Sequence, residues 1–192
     1  MTTLINGVDV PKVMAKIDAV RRNPAEGAFT FSVVSRWESG MQSRHAAGDF
    51  KLGGEKFHHK AHLDFGADMP ECMAGTDTGM NPAEMLLASL SACLISSYAV
   101  HASAMHIKLQ ELAVEISGEG DIAGFFGIGN GKPGLTGVSV RATVRSTDPK
   151  ERLQELHRFV TTHSLVWDTL ASRVHMESKL VTDAEDFGAV EL

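Results

Sequence analysis

TGMNPAEMLLASLSACLISSYAVHASAMH, residues 78–106, decides the fold of this chain. Asn81 suits an N-cap, Pro82 an N1 position, and Glu84 falls at N3, from which its carboxylate reaches back to the backbone N–H of the cap residue. Roughly 25 residues then run without another Pro or Gly, a rod of about 37 Å at 1.5 Å per residue. The spacing predicts one long central helix. At about 100° per residue, Leu87, Leu90, Leu94 and Tyr98 form a bulky stripe. Met85, Ser89, Ala92, Ser96, Ala99 and Ser103 form an opposite stripe of mostly small residues. A bulky stripe suits a twisted sheet, whereas small residues let a second backbone come close. Cys93 lies at the edge of the small stripe, where it is shielded without being sealed.

The whole chain bounds what this helix can serve. At 192 residues it fits one domain, or one domain with an appended arm. An apolar fraction of 43% and a charged fraction of 22% are those of a soluble globular protein. The net charge of −6 leaves no basic stripe for phosphates, which argues against nucleic acid or an anionic membrane as partner. The opening MTTLINGVDVPKV lacks the basic and apolar regions of a secretory signal. The apolar run 85–105 is interrupted by five serines and His101 and is two-faced, unlike a membrane span. A cytoplasmic location is therefore the expectation. Cys72 and Cys93 do not make a disulfide framework in a chain of this length, and free thiols are expected.

Working outward, Asp9 caps a first helix in which Val10, Val13, Met14, Ile17 and Val20 recur at helical spacing up to Asn23-Pro24. Residues 1–27 read as a helical arm and 28–192 as one domain. AFTFSVVSRW, from Ala28, alternates as one strand, Ser39-Gly40 is a turn, MQSRHAA is a second strand and KFHHKAHLDFG, from Lys56, a third. DMPECMAGTDTG is the loop into the central helix. Beyond the helix, KLQELAVEISG puts Leu112, Val114 and Ile116 on one strand face, and TGVSVRATVRS does the same with Val138, Val140 and Val144. The segment between them, DIAGFFGIGNGKPGL, is a glycine-rich loop carrying an apolar lid. Asp148-Pro149-Lys150-Glu151 repeats the cap, proline and acid pattern of the central helix, and opens a helix with Leu153, Leu156 and Val160. SLVWDTLAS reads as a short helix, VHMESKLVT as a closing strand, and the acidic tail from Asp183 as a frayed end. Strands beside well-capped helices argue for an α+β fold with antiparallel sheets.

Cys93 is the first candidate for chemistry. A free thiol near its ordinary pKa is only about 3% thiolate at neutral pH, so reactivity requires a cation, a helix N-terminus or a metal. Three turns into the helix, Cys93 is beyond the N-terminal dipole. The competing reading is a packed core cysteine. His58, His59 and His62, with Cys72 nearby, are of metal-ligand type, but on a strand His58 and His62 stand about 13 Å apart and no metal is expected. His163, Ser164 and Asp168 lack a nucleophile elbow and are adjacent in sequence, which disfavours a triad. Neither a phosphate-binding loop nor a dinucleotide fingerprint is present, and no cofactor is expected.

GTDTGMNPAEMLLASLSACL, residues 75–94, resembles the entry to the core helix of the OsmC/Ohr family, the osmotically inducible and organic hydroperoxide resistance proteins. The resemblance extends over most of residues 28–182, through SRWESGMQSR, the Gly-rich loop and SLVWDTL. The arm resembles that of the subset with an extra N-terminal helix. The resemblance implies antiparallel sheets packed on two long central helices of an intertwined homodimer. It also implies a thiol peroxidase in which Cys93 attacks a hydroperoxide and the resulting sulfenic acid is resolved by a second cysteine.

The chain departs from the family pattern at three places. The resolving cysteine corresponds to Ser164, which forms no disulfide. The glutamate that follows the helix-start proline in peroxidase members corresponds to Ala83, with Glu84 one residue later. The activating arginine of the first hairpin corresponds to Met41, with Arg44 and Arg36 the nearest substitutes. Cys72, just before the helix, is a possible resolving thiol. The resemblance thus implies a hydroperoxide reductase acting through Cys93 with an external thiol reductant. The alternative is a non-catalytic dimer holding a small apolar ligand at its interface.

Overall fold

Asn6-Gly7 is the first local signal the chain obeys. Both residues take positive φ, 51° and 77°, and close a tight hairpin between β1 (Leu4–Ile5) and β2 (Val8–Asp9). The computed structural model describes residues Leu4–Val181. Helix α1 (Val10–Arg22) follows directly, capped as expected by Asp9, whose Oδ1 accepts from the Lys12 N–H at 3.0 Å. The described chain divides into two compact units, residues 4–14 with Ala83–Arg173, and Ala15–Pro82 with 174–181.

The second unit carries β3 (Phe29–Thr30), β4 (Val33–Ser39), β5 (Gln42–Ala47), β6 (Phe50–Leu52), β7 (Glu55–Phe57) and β8 (Asp64–Ala67). They form two antiparallel sheets, ordered β3-β6-β7 and β4-β5-β8. The single strand expected from Ala28 is broken at Phe31-Ser32, and its halves join different sheets. The cause is Ser32: its Oγ donates to the Asp49 carbonyl at 3.1 Å, and its own carbonyl accepts from the Gly48 N–H at 3.0 Å. A Cβ at Gly48 would stand 2.5 Å from Ser32 Oγ, so a larger residue there would push that hydroxyl off the Asp49 carbonyl. The expected third strand is likewise divided into β7 and β8.

The loop after β8 is organised by Asp68, which is 2% exposed. Its carboxylate accepts from the N–H of Met69 at 2.7 Å, from the N–H and hydroxyl of Thr76 at 3.0 and 2.6 Å, and from those of Thr78 at 3.3 and 3.0 Å. The Thr76 hydroxyl above all holds the Asp68 carboxyl well below the usual range, against the opposing effect of desolvation. Gly75 folds so closely over Met69 that a Cβ would meet its carbonyl. At the other end of this unit, residues 174–181 are not the expected strand. Met176 is 88% and Leu180 86% exposed, and without a neighbouring strand the segment has no ladder partner. The tail from Asp183 lies outside the described residues.

The first unit holds α2 (Pro82–Ala104), β9 (Leu109–Glu119), α3 (Ile122–Phe125), β10 (Gly137–Ser146), α4 (Lys150–His163) and α5 (Leu165–Ala171). Strands β9 and β10 pair antiparallel, with Val140 opposite Ile116, Ala142 opposite Val114 and Val144 opposite Leu112. Against this apolar face pack Leu90, Leu94 and Tyr98 of α2 and Leu156 and Val160 of α4, each no more than 2% exposed. The bulky stripe is thus the core face. Ser89, Ala92 and Ser96 of the small stripe are exposed in the single chain.

Although α2 is long and apolar enough to cross a membrane, its core face is buried in this unit. The N-terminal hairpin closes its far end: the Asn6 amide donates to the Ile107 carbonyl at 2.9 Å and accepts from the Leu109 N–H at 2.9 Å. One expected cap is replaced. Helix α4 starts at Lys150 after Pro149 without a side-chain cap, because the Asp148 carboxylate is taken by Arg152 and by the Ser146 hydroxyl.

The Asp68 network predicts a defined acid limb. A carboxyl held below its unfolded value stabilises the fold fully above the ordinary Asp pKa of about 3.9, and that contribution fades as pH falls through the lower folded value. Thermal melts between pH 6 and pH 2 should therefore show Asp68→Ala losing stability most at the upper end. The two proteins should converge on acidification; a constant difference would show that the Asp68 charge is not involved.

Candidate functional site

Cys93 sits between Leu90 and Leu94 on α2 and is half-buried. Its Sγ lies 3.3 Å from the Oγ of Ser164, which is 1% exposed. Ser164 terminates α4 in an extended conformation and caps α5, its Oγ accepting from the Trp167 N–H at 3.4 Å. A hydroxyl has one proton and two lone pairs. Ser164 therefore accepts from Trp167 while its proton remains available to Cys93, and a deprotonated sulfur can only accept it. The pair places a hydrogen-bond donor where a second thiol would form a disulfide.

The same unit holds a cavity of about 500 Å³, lined by neither Cys93 nor Ser164 and within the range of about 300–1,000 Å³ common for small-molecule sites. Its walls include Leu86 and Leu90 of α2, Val138 and Val140 of β10, and Trp167 and Leu170 of α5. Two connections lead from it to the thiol. Leu86 and Cys93 are seven residues apart, hence within about 20° of each other round the helix and about 10 Å apart along it. Trp167 is both a cavity wall and the residue whose N–H rests on Ser164. The expected apolar lid does not form this wall. Phe125 and Phe126, 67% and 59% exposed, pack on each other, and the glycine-rich loop contributes Lys132, Gly134 and Leu135 instead.

The remaining candidates are distributed as follows. Arg44 is in the second unit on β5, where its Nε donates to Glu38 at 3.2 Å and its terminal nitrogen lies 3.6 Å from Asp64. Arg36, opposite Arg44 in the ladder, is exposed and forms no ion pair among the described residues. Met41 is 49% exposed at the β4–β5 turn. Cys72 is exposed, in a single 3-10 turn spanning Glu71–Met73. Ala83 and Glu84 lie in the first turn of α2.

The histidines are also placed. His58 pairs with Asp49 at 2.7 Å and His62 lies 3.8 Å from Asp64. His163 stacks on Phe159 with ring centroids 4.1 Å apart, and its Nδ1 faces the Phe159 carbonyl, so Ser164 is engaged by Cys93 and not by a triad. His101 packs edge-on against the same Phe159 at 4.7 Å; burial, and then the neighbouring His163, lower its pKa. Sequence reasoning singled out both Cys93 and Ser164 but missed Trp167 and Lys132. The apolar residues of SLVWDTL were a signal for the first; a single cation in a glycine-rich loop was one for the second.

The geometry predicts that Ser164→Cys will acquire an internal disulfide under mild oxidation. Peptide mapping after alkylation should then find residues 93 and 164 joined and only Cys72 modified. Alkylation at both 93 and 164 would show that the two positions do not meet in solution.

Comparison with known proteins bears on the chain at this point. An OsmC-like protein family model matches residues 75–179, a span holding α2, the cavity, Cys93 and Ser164. Among solved structures, an OsmC-like protein from Mycoplasma pneumoniae superposes with a TM-score of 0.57 at 18% identity, covering 74% of this chain and 87% of that one. An OsmC-like protein of unknown function from Vibrio cholerae gives 0.52 at 14% identity, covering 73% and 92%. No curated protein matched. At such identities the structures speak for the fold alone; the family model, which spans more than half of the sequence, shows that the chain belongs to the OsmC-like protein family.

Proposed function

We propose that this protein reduces organic hydroperoxides through Cys93. The observation that carries the reading is a half-buried thiol, hydrogen-bonded to a buried hydroxyl, on the helix that also supplies Leu86 and Leu90 to the wall of a largely apolar cavity of small-molecule size. The Cys93 thiolate attacks the distal oxygen of the hydroperoxide, the O–O bond breaks, and the alkoxide leaves as an alcohol after taking a proton. Cys93 becomes a sulfenic acid. With serine at 164, an external thiol attacks the sulfenic sulfur and releases water, and a second external thiol displaces the mixed disulfide to restore Cys93.

The activating cation is assigned to Arg44 or Arg36. Of these, Arg44 is already engaged by two carboxylates, whereas Arg36 forms no ion pair among the described residues. Cys72 is the alternative resolving thiol. We further propose a cytoplasmic homodimer, with residues 1–27 as an arm on a single family domain. The exposure of Ser89, Ala92 and Ser96, with Ile95 40% exposed beside them, supports close approach of a second copy to α2. A second reading, a non-catalytic protein that holds a small apolar ligand, is favoured by Ser164 in place of a resolving cysteine.

Turnover decides between the two. Purified protein with an excess of a small dithiol should consume cumene hydroperoxide, and Cys93→Ser should fall to the uncatalysed rate while Cys72→Ser retains most of the activity. Equal rates for the wild type and Cys93→Ser would remove the peroxidase reading and leave the ligand-binding one.

A further inference from the structure

The cavity of the first unit has one charged side chain in its lining, Lys132, and its position is built into the loop that carries it. Gly124 and Gly131 bring two stretches of that loop together backbone to backbone. A Cβ at Gly124 would meet the Lys132 carbonyl at 2.3 Å, and one at Gly131 would meet the Gly124 nitrogen at 2.6 Å. Leu135 then anchors the loop on the sheet, its Cδ1 lying 3.1 Å from where a Cβ on Gly118 of β9 would stand. The Lys132 ammonium donates to the carbonyl of Leu135, another residue of the cavity wall, at 3.0 Å, which uses one of its three N–H groups. The nearest acid in the ladder is Glu119, opposite Gly137, with its carboxylate 4.0 Å from a Cβ built there. Among the described residues it forms no ion pair with Lys132, so the ammonium is not neutralised.

We infer that this cavity binds an aliphatic carboxylate, with its chain against Leu86, Leu90, Val140 and Trp167 and its carboxylate on the two remaining N–H groups of Lys132. The apolar walls supply most of the affinity through area removed from water, about fourfold per buried methylene. The ammonium supplies selection for an anionic head over a neutral one, a salt-sensitive preference of about fivefold for a partly exposed pair. The inference uses the cavity of the peroxidase reading but not its thiol, and it holds whether or not Cys93 turns over.

Octanoate and 1-octanol are a matched pair of probes, titrated by calorimetry and by the fluorescence of Trp167 in a Trp37→Phe background. In the full-length protein at low ionic strength, octanoate should bind about fivefold more tightly than octanol, and both should change the Trp167 emission. Lys132→Met should bring octanoate level with octanol while leaving octanol unchanged, added salt should weaken octanoate alone, and Cys93→Ser should alter neither. Equal affinity for the two probes, a preference that survives Lys132→Met, or titrations that leave Trp167 undisturbed would each overturn the inference. None of these results bears on hydroperoxide turnover, which the Cys93→Ser comparison tests separately.

Discussion

Leu90, Leu94 and Tyr98 enter the core of the first unit from one face of α2, while Leu156 and Val160 enter it from α4. Each such side chain contributes about 1.5–3 kcal/mol when fully buried, so together they fix both the rotation and the axial register of α2. Cys93 follows from that constraint, because it stands about 60° round the helix from Leu90 and is carried to the rim of the core rather than into it. A slip of one residue would turn the thiol through about 100°. Ser164 is set by the same contacts, since it is the residue at which α4 ends, one turn beyond Val160. The distance between sulfur and hydroxyl is therefore a property of the core, and a substitution at Leu94 or Leu156 would reach the site without touching it.

A hydroxyl beside the thiol, rather than a second thiol, divides the site's abilities. It can donate to a thiolate and hydrogen-bond a sulfenic acid, but it cannot displace hydroxide from sulfur to form a disulfide. The chemistry proposed for Cys93 consequently depends on a molecule from outside for its second half. The cavity is tied to the thiol only through shared elements: α2, which supplies Leu86 and Leu90 to its wall, and Trp167, whose N–H rests on Ser164.

The legible parts of the fold were those in which one local rule acts alone. The start of α2 was readable from Asn81-Pro82, and β9 and β10 from strict alternation at Leu112, Val114, Ile116 and at Val138, Val140, Val144. The break at Phe31-Ser32 was not, because the competing hydrogen bonds come from Gly48 and Asp49, far along the chain. The N-terminal hairpin was announced by Asn6-Gly7 but hidden by its very short strands. Asp148 failed as a cap because Arg152, one turn later, captures its carboxylate. In the site, both Cys93 and Ser164 could be named from the sequence. Their proximity could not be derived from local pattern, since it is produced by tertiary packing across 71 residues. Lys132 and Trp167 were overlooked for the same reason: the cavity they share exists only once the glycine-rich loop, β10 and α5 are assembled.

Trapping the oxidised thiol tests the central claim most directly. Protein treated with one equivalent of an organic hydroperoxide, without reductant and in the presence of dimedone, should yield the dimedone adduct on Cys93, with Cys72 left as a thiol. An unmodified Cys93, with the oxidant unspent or consumed at Cys72, would contradict it.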